Sequence, residues 1–98
     1  MIIVAGRLRV ATGDRDAVLA RSRTSIELAR SASGNHDFVV AADPLDPTRV
    51  NLYERWTDRA SLAAFRGDGP DDELQGLTIS ADVGEFDVLR APPDAPVD

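Results

Sequence analysis

Glu54 and Trp56 are the residues of this sequence whose types and spacing most clearly suggest chemistry. They lie two residues apart in a segment, 49–56, that is rich in Val, Leu, Tyr and Trp and contains no Gly or Pro, which predicts a β-strand. Side chains alternate along a strand, so both share a face with Val50 and Leu52, and this face is expected to be buried. Burial beside an indole would raise the pKa of the Glu54 carboxyl group toward neutrality and make it a candidate general base. The alternative is a structural carboxylate that binds backbone groups or an arginine.

His36, Phe38 and Phe65 complete the set of candidate site residues. His36 and Phe38 are predicted to share one face of a strand over residues 36–42, and His36 is the second candidate for moving a proton. Its position at the start of the strand also fits a solvated histidine. Phe38 and Phe65, together with Trp56, are expected to form the walls of a pocket for an aromatic molecule, although each also suits an ordinary core position.

Periodicity along the chain predicts the elements that carry these residues. Strands are expected over residues 2–10, 36–42, 49–56 and 80–89, and helices over residues 14–32 and from Thr57 or Asp58 to Phe65. The order strand, helix, strand, strand, helix, strand is the ferredoxin-like βαββαβ pattern, an α+β fold with an antiparallel four-stranded sheet and both helices on one face. We expect one domain over residues 1–90 and a Pro-rich C-terminal tail over 91–98.

The second and third strands are expected to pair as a hairpin. The predicted register puts Phe38 opposite Glu54 and His36 opposite Trp56, which would gather the candidate site residues on one face of the sheet.

Glycines predict several local features of the backbone. Gly34 is expected in the left-handed position that ends the first helix, and Gly67 is expected to end the second. Gly84 is predicted to mark a bulge where the apolar phase of the last strand changes. A further helical start is expected at residues 70–73, where a proline precedes three acidic residues.

The sheet face that the helices leave open is too apolar for contact with water alone. Its predicted apolar members are Ile3, Ala5, Val39, Ala41 and Tyr53. Face-to-face pairing of two sheets would bury them, so we expect a homodimer in the form of a dimeric α+β barrel.

Composition excludes several classes of function. The chain of 98 residues has no Cys and one His, so it holds no disulfide and no zinc-thiolate or multi-histidine metal site of its own. A net charge of -6 argues against binding to nucleic acid or to an anionic membrane surface. No apolar run approaches the ~20 residues of a membrane span, and the N-terminus does not have the form of a signal peptide. We therefore expect a cytoplasmic protein.

Three segments resemble the antibiotic biosynthesis monooxygenase family of small dimeric α+β barrel proteins. They read IVAG at 3–6, DFVVAADP at 37–44 and VNLYERW at 50–56. The resemblance implies a dimer with a pocket between helices and sheet in each subunit. Members of this family resemble cofactor-independent oxygenases of quinols or polyketide aromatics, haem-degrading enzymes, or proteins that act on small signalling molecules.

The resemblance also bears on single residues. Glu54 and Trp56 match a Glu and a Trp that often end this strand in the family. Phe65 stands where many members carry a His, and Gly6 stands where haem-degrading members carry an Asn. These two departures from the family pattern remove the axial ligand and its polar partner, so we expect haem to bind weakly or non-specifically.

Two functions of different classes follow. The first is a cofactor-independent monooxygenase that oxidises a small electron-rich aromatic molecule, such as a quinol, with dioxygen. Glu54 or His36 would take the proton, and no metal or other cofactor is expected. The second is a non-catalytic dimer that binds a small ligand or serves as an accessory protein. An isomerase that uses the same base is a third, weaker option.

Overall fold

Six elements follow one another in the predicted order. The structure is a computed structural model of the chain. It describes residues 1–68 and 77–89. The elements are β1 (Ile2–Val10), α1 (Arg15–Ser31), β2 (Asn35–Ala42), β3 (Arg49–Trp56), α2 (Arg59–Asp68) and β4 (Thr78–Asp87). The predicted helical start at 70–73 and the predicted tail at 91–98 lie outside the described residues, so the domain boundary at residue 90 stays a prediction. Among the described residues, neither helix is long and apolar enough to cross a membrane.

The strands form one four-stranded sheet in the order β2-β3-β1-β4, and every neighbouring pair is antiparallel. β1 lies inside the sheet, which agrees with the apolar residues on both faces of its first half. The ferredoxin-like α+β fold is therefore confirmed.

The β2–β3 hairpin determines which residues lie beside the candidate base. The predicted pairing of Phe38 with Glu54 is confirmed. The predicted pairing of His36 with Trp56 is wrong, because Asn35 lies opposite Trp56. The register shifts just after Asn35, which leaves His36 as the extra residue of a bulge.

The ends of the helices agree only in part with the predicted capping residues. Asp58 was one of two predicted caps of α2, and its Oδ1 accepts a hydrogen bond of 2.8 Å from the backbone N–H of Ser61. α2 continues through Gly67 to its end at Asp68, so Gly67 does not end it. The residue that caps the C-terminal end of α1 is Ala32 in an extended conformation, not Gly34.

Gly34 is nevertheless required where it stands. Its φ of 85° lies in the left-handed region, and an added Cβ would lie 2.2 Å from the Ser61 hydroxyl oxygen on α2. Gly34 therefore allows the α1–β2 turn to approach the beginning of α2.

The bulge predicted at Gly84 is wrong. β4 pairs with β1 in an unbroken register from Ser80 to Asp87, and the irregularity lies near the start of β4, between Arg9 and Val10 of β1. The apolar residues of β4 change phase because they occupy both faces of the sheet. Phe86 lies on the open face, and Val83 lies on the face toward the helices.

The core lies between the helices and one face of the sheet. Its two clusters of buried side chains consist of Ile2, Val4, Ala29, Phe38, Trp56 and Leu62, and of Val10, Val18 and Val50. Burying one large apolar side chain contributes about 1.5–3 kcal/mol to folding, so these residues stabilise the surface on which the site is built. Glu54 lies among them and is 7% exposed.

Candidate functional site

Glu54 lies in a row of residues that crosses all four strands. In the pairing register, Glu54 has Phe38 of β2 on one side and Val4 of β1 on the other, and Val4 is followed by Glu85 of β4. Both immediate neighbours are buried and apolar. The carboxylate therefore lies on the core side of the sheet, as strand alternation predicts.

The Glu54 carboxylate is bound by Trp56. The indole Nε1–H of Trp56 donates a hydrogen bond to Glu54 Oε1 over 2.9 Å, and both side chains are buried. The structural alternative expected a backbone group or an arginine as the partner. Among the described residues the hydrogen-bond partner is the indole, which satisfies one carboxylate oxygen and leaves the other with acceptor capacity.

The pKa of Glu54 is raised above its usual range. Burial of the carboxyl group is the largest cause. The hydrogen bond from Trp56 and the positive charge of Arg66 oppose the shift, whereas the negative charge of Glu85 adds to it. A carboxylate with a raised pKa is a stronger base than an ordinary surface glutamate, which is the property that a general base needs.

Three aromatic rings lie next to this pair. Phe65 of α2 lies with its ring centroid 5.2 Å from that of Trp56 and 5.8 Å from that of Phe38. Phe38 and Trp56 are core residues, whereas Phe65 is only partly buried. The rings pack together in the core next to Glu54, and their use as an apolar wall for a ligand stays a prediction.

His36 is separate from this group. It is exposed, and its Nε2 lies 2.9 Å from the Thr57 hydroxyl oxygen, at the junction of β3 and α2. The bulge at the start of β2 removes it from the alternation that governs Phe38. The structure therefore brings Glu54, Trp56, Phe38 and Phe65 together and leaves His36 outside.

A cluster of ion pairs, absent from the sequence predictions, lies beside the site. Arg59 of α2 binds Glu85 over 3.2 Å and Asp87 over 2.8 Å, and Arg66 of α2 binds the second oxygen of Glu85. The two arginines are separated by about two helical turns and so lie on one side of α2. Their spacing was available from the sequence, but their partners depend on the β1–β4 register.

No metal site was found in the described part of the chain. Within residues 1–68 and 77–89, no three His, Cys, Asp or Glu side chains converge as metal ligands do.

The sequence model of the antibiotic biosynthesis monooxygenase family matches residues 1–69. The chain belongs to this family.

Several solved structures have the same fold as this chain. A candidate antibiotic biosynthesis monooxygenase from Nitrosomonas europaea has a TM-score of 0.83 at 22% identity, over 92% of this chain and 100% of that one. Another from Chloroflexus aurantiacus has a TM-score of 0.74 at 26% identity, over 96% and 98% of the two chains. A third from Deinococcus radiodurans has a TM-score of 0.81 at 16% identity, over 98% and 100%. No curated protein matches the chain.

This antibiotic biosynthesis monooxygenase family member has no room for a side chain at residue 6. A Cβ added to Gly6 would lie 2.0 Å from the carbonyl oxygen of Asp82 and 2.7 Å from the Cα of Val83, both backbone atoms of β4. The position where the resemblance puts an Asn in haem-degrading members is therefore filled here by the neighbouring strand.

Gly6→Ala is expected to lower the free energy of unfolding by about 1–3 kcal/mol or more, because β4 must move away from β1. The matched control is Gly67→Ala within α2, where no heavy atom of the described residues, outside the backbone of α2 itself, lies within 4 Å of the added Cβ. Because alanine favours a helix, the control is expected to stabilise the protein by about 0.5–1 kcal/mol. Chemical denaturation followed by circular dichroism measures both, and equal stability of the two variants would contradict the close approach of β4.

Proposed function

We propose that this protein is a cofactor-independent monooxygenase that oxidises a small electron-rich aromatic molecule, such as a quinol, in the cytoplasm. The observation that carries the proposal is the buried Glu54 carboxylate, bonded to the Trp56 indole beside the partly buried ring of Phe65. Membership of the family supports the reaction class, and the apolar wall suits an aromatic ring.

The proposed reaction draws its electrons from the substrate. Glu54 takes a proton from a phenolic hydroxyl group, and the electron-rich ring that results reduces dioxygen and forms a carbon–oxygen bond with it. The oxygen–oxygen bond then breaks, one oxygen atom stays on the ring and the other leaves as water. A quinol and one dioxygen thus give a hydroxyquinone and one water. The protein supplies a base and a site with little water, which favours proton removal by the carboxylate.

A non-catalytic role in binding a small ligand is the second candidate. Phe38 and Trp56 belong to the buried core, and one oxygen of Glu54 is already occupied by the indole N–H. These contacts also suit a rigid binding site in which the carboxylate only positions the indole.

Oxygen uptake separates these two functions. Metal-free protein is mixed with a panel of benzoquinols and naphthoquinols in an oxygen electrode, against buffer and heat-denatured protein as controls. The monooxygenase predicts consumption of one dioxygen per quinol and formation of a hydroxyquinone that mass spectrometry identifies. Binding of quinols that quenches Trp56 fluorescence without oxygen uptake would favour the ligand-binding role.

We also propose that the protein is a homodimer joined through the open faces of two sheets. On this face Val39 is 41% exposed, Tyr53 36% and Phe86 53%, and Ile3 and Ala5 lie between them. An exposed apolar surface of this kind is costly in water, and a standard interface would bury on the order of 1,500 Å² in total.

Tyr53→Asp is expected to convert the dimer into a monomer, because it puts a charge at the centre of the proposed interface. Size-exclusion chromatography with light scattering should give twice the chain mass for the unmodified protein and one chain mass for the variant. Leu45→Asp is the control, since Leu45 is 93% exposed in the β2–β3 loop and the variant should remain dimeric. A monomeric unmodified protein would refute this assembly.

A further inference from the structure

Glu85 lies on the same side of the sheet as Glu54. Val4 is paired with Glu54 on one side and with Glu85 on the other, so the two carboxylates lie on either side of one buried valine. Two strand spacings separate their backbones by about 10 Å. Glu85 is exposed, so the row runs from a buried carboxylate to one at the edge of the site.

Arg66 spans the space between α2 and this edge. It binds one oxygen of Glu85, while Arg59 binds the other oxygen and also Asp87. Glu85 is thus held by two guanidinium groups. An arginine has five N–H groups and a fixed positive charge, so the ion pair with Glu85 fixes the place of that charge without using all of its donors.

We propose that Arg66 is a positioning residue that sets the charge state of Glu54, and that its ion-pair partner Glu85 opposes this effect. The role in catalysis rests on the proposed function, but the electrostatic coupling does not. The positive charge of Arg66 favours the ionised form of Glu54, and the negative charge of Glu85 opposes it. The two effects offset one another while the pair is intact.

The other elements around Glu54 bring one charged group, Arg30 of α1, which is not among the causes that shift the pKa of Glu54. Its neighbours in the row, Val4 of β1 and Phe38 of β2, are apolar, and on β3 itself Trp56 is neutral. α1 contributes Arg30, whose guanidinium donates to the carbonyl oxygen of Phe38.

Arg59 and Asp87 complete the charged groups on the α2 and β4 side. They bind one another, and Arg59 also binds Glu85. Neither is among the causes that shift the pKa of Glu54, whereas Arg66 and Glu85 both are. Arg59 is therefore a matched control for Arg66, because it lies on the same helix and binds the same glutamate.

For catalysis, the consequence is an acid limit on activity. Burial alone favours protonated Glu54, and a protonated carboxyl group cannot accept a proton from the substrate. Arg66 extends the range of pH in which the base is ionised, and the charge of Glu85 narrows it.

The test uses the indole N–H of Trp56, the only tryptophan of the chain, as a reporter of Glu54. Its ¹H–¹⁵N signal is followed against pH without substrate, and Glu54→Gln identifies the transition that belongs to Glu54. In Arg66→Gln the midpoint is expected to move to higher pH, and in Glu85→Gln to lower pH. Arg66→Lys should restore the midpoint toward that of the unmodified protein, and Arg59→Gln should leave it nearly unchanged.

Shifts of the same sign in Arg66→Gln and Glu85→Gln, or equal midpoints for Arg66→Gln and Arg59→Gln, would overturn the inference. The double variant Arg66→Gln/Glu85→Gln distinguishes a charge effect from damage to the fold. Two opposite charge effects should cancel and return its midpoint toward the starting value, whereas damage to the fold from each change would not cancel. The outcome is distinguishable from that of the proposed function. Opposite shifts in a protein that takes up no oxygen would refute the function alone, and uptake with unmoved midpoints would refute the inference alone.

Discussion

Glu54→Gln is expected to lower the rate of quinol oxidation by about 10²-fold or more. The amide has nearly the shape of the carboxylate, and its oxygen still accepts the hydrogen bond from Trp56 that is 2.9 Å long in the structure. It cannot take a proton from a phenol at any ordinary pH. The expected result is therefore a folded, dimeric protein that binds quinols and oxidises them poorly.

Thermal denaturation and oxygen uptake on the same sample decide the role of Glu54. Glu27→Gln on the exposed side of α1 is the matched control and should alter neither quantity. If Glu54 is purely structural, its change to Gln should cost roughly 1–3 kcal/mol of stability through lost charge-assisted hydrogen bonding. Full activity in such a destabilised variant would end the general-base role.

The pH dependence has a definite sign. Because burial raises the pKa of Glu54, the folded protein holds this proton at a pH where the unfolded chain has lost it. The contribution of Glu54 to stability is present below its unfolded pKa and is lost as pH rises through the raised folded pKa. Glu54→Gln should remove that loss, while oxidation by the unmodified protein should fall as pH decreases through the same transition.

Strand alternation was sufficient to predict much of the site. It placed Glu54 and Trp56 on the buried face of β3, and the hairpin register placed Phe38 beside them. Phe65 followed from the short helix directly after β3. These predictions depend on neighbours in sequence or on one hairpin, where local patterns carry most of the information.

Other features depend on distant parts of the chain or on single side-chain conformations. Alternation along β2 predicted His36 on the same face as Phe38. His36 is instead the extra residue of a bulge at the start of β2, which removes it from the site. The ion pairs of Arg66 with Glu85 required both the place of α2 and the register of β1 with β4. The hydrogen bond between Trp56 and Glu54 depends on the rotamers of the two side chains, which strand alternation does not determine.

Trp56→Ala is expected to lower the free energy of unfolding by about 3–5 kcal/mol. The indole is fully buried, so its removal leaves a cavity among Ile2, Val4 and Leu62 and removes the ring against which Phe65 packs. It also leaves the buried Glu54 carboxylate without its N–H donor, which adds a desolvation cost.

Trp56→Phe separates the packing of the indole from its hydrogen bond. Phenylalanine fills most of the volume and keeps an aromatic contact with Phe65, but it donates nothing to Glu54. We expect it to lose about 1–3 kcal/mol, much of it from the lost hydrogen bond. Circular dichroism in guanidinium chloride is the suitable measurement because fluorescence loses its reporter, and the protein concentration must be fixed because a dimer's stability depends on it.

These two variants also decide between the two interpretations of Trp56. A core residue predicts a large loss of stability in Trp56→Ala and a KM for quinols in Trp56→Phe close to that of the unmodified protein. A wall that stacks on the substrate predicts a raised KM in Trp56→Phe, because the smaller ring offers less area to the substrate. A loss below about 1 kcal/mol in Trp56→Ala would contradict the packed core, since removing a buried aromatic side chain costs several times more. In that case a loosely packed indole could not hold its hydrogen bond to Glu54 in place. The buried carboxylate would then need another hydrogen-bond partner.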